Sequence, residues 1–371
     1  MRRKGREGRR TSGSAVVLAV LALVLTSCTG DDPDASPQEP ATSEARESPS
    51  DTESPSEAAS PSPSESLTPS SSPSPAAEAL PEPPHRVSLP TLMREEFRGG
   101  RIRMLRQVLA TDAYTRHEIT YPSGDLTVSG VLLRPRGKGP FPAVVLNHGY
   151  IEPSIYVTGQ GMMREQDYLA RAGFVVLHTD YRGHAAGEPV PDRSRETRLG
   201  YTRDSLNAVA SLKRLRYVDP ERVGMVGRSM GGAVTYNALI AQPGVVKAGV
   251  VFAPVSSDFV DNFNRWTVRE RPSAAQATYQ RWGRPREEPA FYDGLSARTY
   301  FDRITEPVLI HHGTSDDSCP IRWSRVSVRL LNRAGVDARL FVYEGEEHAF
   351  GPQWPLSMER TVRFLRRQLN G

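Results

Sequence analysis

The stretch Val223-Gly-Met-Val-Gly-Arg-Ser229-Met-Gly-Gly-Ala233 decides the fold. Val223 to Val226 is a short apolar run, as a strand buried on both faces should be. A helix is expected after Met230. Between them Gly227-Arg228-Ser229-Met230-Gly231 fits a serine on a sharp strand-to-helix turn, where flanking glycines relieve the crowding that side chains would cause. Gly232 lets the helix start close to the sheet. The pattern G-x-S-x-G alone arises by chance in about one chain in ten of this length, so its context must carry the argument. Ser229 also falls near a helix N-terminus, where unpaired N–H groups favour developing negative charge.

Working outward, strand-like and helix-like periods alternate from Arg86 onward. Thr115 to Tyr121 and Leu126 to Arg134 predict a hairpin turned at Ser123-Gly124. Buried strands are expected at Pro142 to Leu146, Phe174 to Thr179, Lys247 to Phe252, Pro307 to Ile310 and Ala338 to Tyr343. Helices are expected at Met162 to Ala172, around Arg203 to Arg214, near Trp323 to Arg333 and from Leu356. Such alternation implies a mostly parallel sheet covered on both faces, with chemistry at the carboxyl ends of its strands. Leu92 to Leu109 reads as a helix-like flank on the sheet edge. Residues 256–304 break the rhythm and hold Phe263, Trp266, Tyr279, Trp282, Phe291 and Tyr292, as connecting packing or as a lid or pocket wall.

A serine hydroxyl needs a neighbouring base, and that base a carboxylate to orient it. On this kind of fold the chain order is Ser, acid, His. Three histidines follow Ser229. His348, in Glu344-Gly-Glu-Glu-His348-Ala-Phe, lies beyond the last strand, where a loop can hang it over the sheet edge; it is the expected base. His311 and His312 end a strand and read as structural. The loop His312-Gly-Thr-Ser-Asp316-Asp317 supplies two acids. Asp316 is assigned to the imidazole, and Asp317 is expected to cap the helix after Pro320. Glu346 and Glu347 compete, but adjacency to His348 in sequence rarely allows the geometry. An oxyanion hole needs two donors. One is the N–H of Met230; the other is assigned to the loop Asn147-His148-Gly149-Tyr150, with Tyr150 named as its residue. Gly149 lets backbone approach a substrate carbonyl, and His148 otherwise reads as strand-end packing.

These residues resemble the catalytic domain of the prolyl oligopeptidase family of serine peptidases. The matching stretches are NHGY at Asn147, TDYRG at Thr179, GRSMGG at Gly227, LIHHGTSDDSCP at Leu309 and EGEEHAF at Glu344, over about residues 115–370. The resemblance implies an α/β-hydrolase fold, with Ser229 as nucleophile, Asp316 as acid and His348 as base; the first Asp of its Asp-Asp pair is the triad member. Family peptidases usually carry an N-terminal β-propeller, and Arg86 to Ala113 is too short for one blade of 40 or more residues. Some members also use a Tyr hydroxyl in the oxyanion hole. That position falls on His148, with Tyr150 two residues on, so the role is not given to the hydroxyl. The expected function is a serine-type peptidase on small peptides. The alternatives are a carboxylesterase with the same core, or a non-catalytic binding lipoprotein, which predicts erosion of a triad position; none is eroded.

The first 85 residues look unlike the rest. Arg2, Arg3, Lys4, Arg6, Arg9 and Arg10 precede an apolar run from Ala15 to Leu25. Eleven helical residues rise only about 16 Å, short of a bilayer core of roughly 30 Å, so residues 1–27 read as an export signal. Leu25-Thr26-Ser27-Cys28 resembles the bacterial lipobox, which implies lipidation of Cys28 and attachment to the membrane. Residues 28–85, rich in Pro, Ser and Glu, read as a disordered tether, with a root-mean-square reach of about 40 Å. Residues 86–371 are the expected catalytic domain. With Cys28 lipidated, Cys319 has no disulfide partner, so an exported domain must hold by core burial. The formal charge of +4 hides 12 acidic residues against 1 basic in the tether and 40 basic against 30 acidic in the domain. Those arginines are scattered, and no nucleic-acid motif accompanies them. No metal-ligand spacing and no phosphate loop occurs, so no cofactor is expected.

Overall fold

The computed structural model describes residues 79–190 and 197–370. The expected signal, Cys28 and most of the tether lie outside the described residues. A four-residue helix α1 (Leu89–Leu92) leads into β1 (Arg103–Ala110), β2 (Tyr114–Ser123) and β3 (Leu126–Pro135). Then follow β4 (Phe141–Asn147), α2 (Met163–Arg171), β5 (Val175–Thr179), α3 (Leu199–Leu212), β6 (Val218–Arg228), α4 (Met230–Ala241) and β7 (Gly249–Phe252). Three short helices, α5 (Phe259–Asn262), α6 (Pro272–Trp282) and α7 (Pro289–Asp293), precede β8 (Val308–Gly313). The chain closes with α8 (Arg322–Arg333), β9 (Ala338–Tyr343) and α9 (Trp354–Leu369).

Among the described residues these strands form one sheet in the order β1-β2-β3-β5-β4-β6-β7-β8-β9. The first three strands are antiparallel and join the rest through the antiparallel pair β3/β5. From β5 to β9 every neighbour is parallel. The mostly parallel sheet expected from the alternating pattern is therefore present, in the α/β-hydrolase architecture that the family resemblance implied. β5, β7 and β8 are buried at every residue, because helices cover both faces. One apolar layer packs Leu206, Val209, Leu239 and Ile240 of α3 and α4 with Leu331 of α8. The other holds Leu169 of α2 with Met358 and Leu365 of α9. Each such side chain contributes about 1.5–3 kcal/mol on leaving water. α4 is apolar almost all round, and of its twelve residues only Ala233 is not fully buried, as a helix at the centre of a core should be.

Strand order reverses around β4, whose two neighbours are β5 and β6. A crevice opens at such a switch point, beyond the carboxyl ends of the strands. The loops after β4 and β6, carrying Gly149 and Ser229, both start there.

The N-terminal flank differs from its helix-like reading. Leu92 to Leu109 contains no helix beyond the end of α1; the segment runs extended into β1, which pairs with β2 through register shifts near Gln107. Three apolar residues of this strand, Met104, Leu105 and Leu109, are exposed. Pairing with the β2 edge satisfies backbone groups that a helix would have left unmet on β2. Residues ahead of Arg86 are also placed on the body: Arg94 donates to the Leu80 and Pro81 carbonyls, and the His85 ring meets Trp282 at 4.0 Å.

Candidate active site

Ser229 sits between β6 and α4 with φ 55° and ψ −119°, a left-handed backbone that a side chain adopts only under constraint. The constraints are visible. Its N–H donates to the Phe252 carbonyl at 2.9 Å, and its carbonyl accepts from Gly232 and Val255. A Cβ on Gly231 would lie 1.9 Å from the Asn147 carbonyl oxygen, and one on Gly227 would lie 2.1 Å from that of Gly231. The glycines are there because β4, β6 and α4 cross too closely for side chains. Beneath the turn, Arg228 is paired with the buried carboxylate of Glu165 on α2, which also accepts from Trp354 Nε1 at 2.7 Å. Residues from α2 and α9 thus clamp the turn from one side.

Asp316 follows β8 and His348 follows β9, and the structure brings them together: His348 Nδ1 lies 2.8 Å from Asp316 Oδ2. The other carboxylate oxygen, Oδ1, accepts the backbone N–H groups of Ser318 and Cys319 at 2.9 and 2.8 Å. His312 Nε2 stands 3.2 Å from Oδ2. Burial alone would push the Asp316 carboxyl up, but the hydrogen bonds from His312, His348 and the Cys319 N–H outweigh it and hold the group well below the usual carboxylate range. Asp316 is thus poised as an anion that fixes the orientation of His348. The His348 side chain keeps about a quarter of its surface exposed, as a group that meets substrate should.

Asp317 does not cap the following helix. The first turn of α8 has no side-chain cap. The Asp317 carboxylate lies 3.4 Å from the Ser318 hydroxyl, and its carbonyl accepts from Arg265. The capping geometry has gone to Asp316, which takes two consecutive N–H groups in an Asx-type turn. Glu346 does not compete for the imidazole either. It is buried and accepts from the backbone N–H groups of Gly351 and Gln353, so it shapes the loop that carries His348. His311 is structural: Nδ1 meets the Tyr343 hydroxyl at 2.7 Å and Nε2 meets Thr361 at 3.0 Å. His312 contacts Ser324 and the Cys319 carbonyl, so it braces the acid loop from below.

On the opposite side of Ser229, a Cβ on Gly149 would come within 3.2 Å of Ser229 Cβ. The loop after β4 therefore passes directly over the nucleophile candidate. Tyr150 is 53% exposed and its hydroxyl donates to Glu152 at 2.6 Å. Tyr150 also lines a cavity beside Met230. His148 is buried in an aromatic stack with Tyr156, Tyr181 and His178. Burial pushes its pKa down to about 4, so it stays neutral and supports the loop by packing. Asp180, at the end of β5, ties that stack to the segment after Tyr150. It accepts from Tyr156 and Ser129 hydroxyls and the Gly159 N–H, and burial pushes its carboxyl up to about 6.

Three supporting elements escaped the sequence reading. Glu165 and Arg164 on α2 hold the turn and the histidine loop; Arg164 donates to the Ala349 and Phe350 carbonyls at 2.6 and 3.1 Å. Cys319 lies with Sγ 4.0 Å from Ser229 Oγ. Burial and then the Asp316 charge push its thiol up to about 12, so it stays protonated beside the serine. A charged residue at the start of α2 and a cysteine three residues after an Asp carry no local signal of such roles. Among the described residues no group of three or more His, Cys, Asp or Glu is arranged to hold a metal.

A strained serine at a strand-to-helix turn, with an Asp–His pair on the loops after the last two strands of a parallel sheet, defines a serine-hydrolase-type site on an α/β-hydrolase fold. Residues 160–371 match the prolyl oligopeptidase family, and the chain belongs to that family. It is similar to Uncharacterized peptidase YuxL of Bacillus subtilis, 27% identical over 62% of this chain and 35% of that one. It is 26% identical to Uncharacterized peptidase YtmA of the same organism, over 67% of this chain and 91% of that one. Among solved structures it resembles an acetyl xylan esterase from Paenibacillus sp. R4, with a TM-score of 0.58 and 17% identity over 76% of this chain and 92% of that one. The chain spans about a third of the length of the first of these relatives.

Proposed function

We propose that this protein is a serine-type peptidase acting on small peptides through Ser229, His348 and Asp316. The observation that carries the reading is the 2.8 Å contact between His348 Nδ1 and Asp316, on loops that follow the two strands beyond the serine turn. In the proposed reaction the Ser229 hydroxyl adds to the scissile carbonyl and its proton passes to His348 Nε2. Asp316 holds Nδ1–H and stabilises the imidazolium. The tetrahedral oxyanion meets the N–H of Met230 and an N–H of the Gly149-Tyr150 loop. His348 then protonates the departing amine, leaving an acyl-serine. Water, losing its proton to His348, releases the acid and restores Ser229. Ester cleavage would use the same parts with an alkoxide in place of the amine.

The test is a fluorophosphonate probe on the folded domain, with Ser229→Ala as control. Labelling that survives the replacement would overturn the assignment. Matched aminoacyl-anilide and acyl-ester reporters then measure whether amide hydrolysis is the main activity; ester turnover without amide turnover makes the protein a carboxylesterase. We also propose, on the Leu25-Thr26-Ser27-Cys28 motif alone, an extracytoplasmic protein anchored through lipid on Cys28. Unchanged detergent partitioning after Cys28→Ala would refute the anchor. Among the described residues no helix is long and apolar enough to cross a membrane.

A further inference from the structure

The segment between β7 and β8 folds into helices that wall a cavity of about 440 Å³ on the face of α4 that starts at Ser229. Met230, Ala233 and Asn237 line it at helical spacing, so the cavity runs from the nucleophile end of α4 along its length. Its far end is apolar, with Phe259, Trp282, Phe291 and Leu295. The residues lining it near the Gly149-Tyr150 loop include two guanidinium groups, Arg198 and Arg271. Arg198 is held with φ 61° at the start of α3, a left-handed backbone that a non-glycine residue keeps only when its surroundings impose it. It is half-buried, and among the described residues it forms no ion pair with a carboxylate. Desolvation lowers its pKa, and of the neighbouring charges Arg271 lowers it further while Tyr201 opposes. Arg271 is exposed on the other wall. Glu152 is the carboxylate among the lining residues, and the Tyr150 hydroxyl donates to it at 2.6 Å.

We propose that Arg198 and Arg271 form a carboxylate-binding collar at the reactive end of this cavity, so that the preferred substrate carries a carboxylate close to its scissile bond and an apolar group beyond. A half-buried guanidinium with a second one beside it gains from binding an anion that both can reach, because charge-assisted hydrogen bonds strengthen out of water. The carboxylate comes from the free C-terminus of a very short peptide or from an acidic side chain. This inference rests on Ser229 being the nucleophile.

The experiment measures protection of Ser229 from a fluorophosphonate probe by 3-phenylpropionate and by the neutral, near-isosteric 3-phenylpropionamide. In the wild-type protein the acid should protect at a concentration at least about 10-fold lower than the amide, the worth of a charge-assisted contact. Arg198→Gln and Arg271→Gln should each shrink that ratio. Arg271 is exposed, so its variant keeps the test alive if the Arg198 variant fails to fold. Peptide pairs then separate the sources: a free C-terminus against its amide, and a Glu-containing amide against its Gln counterpart. Equal protection by acid and amide in a labelled wild-type protein overturns the inference and leaves the hydrolase reading standing. So does an acid preference that survives both replacements. No labelling of the wild type overturns the hydrolase reading itself.

Discussion

The serine turn and the two loops carrying Asp316 and His348 meet at one site, yet they are built by different means. The turn is made of close backbone approach: Gly227 and Gly231 leave no room for a Cβ, and the strands on either side fix its path. The loops are made of side chains. Asp316 closes its own turn on two N–H groups, Glu346 closes the histidine loop on two more, and Arg164 reaches from α2 to pin that loop's carbonyls. A feature built from missing side chains tolerates almost no substitution. One built from hydrogen bonds degrades by degrees.

That contrast predicts a graded series. The largest effect should come from Gly231→Val, which forces β4 and α4 apart; soluble protein with native circular dichroism at wild-type yield would break the comparison. Asp316→Asn should fold and yet lose roughly 10⁴-fold in kcat, because the amide favours the wrong imidazole tautomer; a loss below about 10-fold would remove Asp316 from the triad. Glu346→Ala leaves two N–H groups without their acceptor, at about 1–3 kcal/mol for each that stays buried. Its melting temperature should fall by several degrees, at about 2–4 °C per kcal/mol for a domain of this size, while probe labelling slows without vanishing. The smallest effect is in pH dependence. The Asp316 carboxyl is held below its unfolded value of about 3.9, so the stability it contributes is present above that pH and fades as pH falls below it. The melting-temperature gap between wild type and Asp316→Asn should therefore narrow from pH 7 to pH 3; a gap that widens would contradict the sign of the shift.

Legibility followed the same division. Buried strands such as Val175–Thr179 and the glycine pattern around Ser229 can be read locally, because burial on both faces and backbone crowding each demand particular residue types. Strand β1 could not be read that way. Its apolar spacing suits a helix, and only the open edge of β2 makes it a strand. Asp317 was expected at a helix cap that local pattern favours, but the turn closed on its neighbour. Glu165 is an ordinary helical acid until Arg228 and Trp354 arrive from 63 and 189 residues away.

The sequence by itself determined the alternating α/β order, the glycine-flanked serine between a strand and a helix and the order in which candidate acids and histidines follow it, since each rests on local periodicity or chain order. The tertiary structure decided how far apart those groups stand, which buried partners hold Asp316 as an anion, and that the segment between β7 and β8 walls a cavity carrying Arg198 and Arg271. The physical reason is range. Backbone crowding and burial pattern act within a few residues, whereas electrostatics and cavity shape belong to side chains that meet only after the sheet has closed its order.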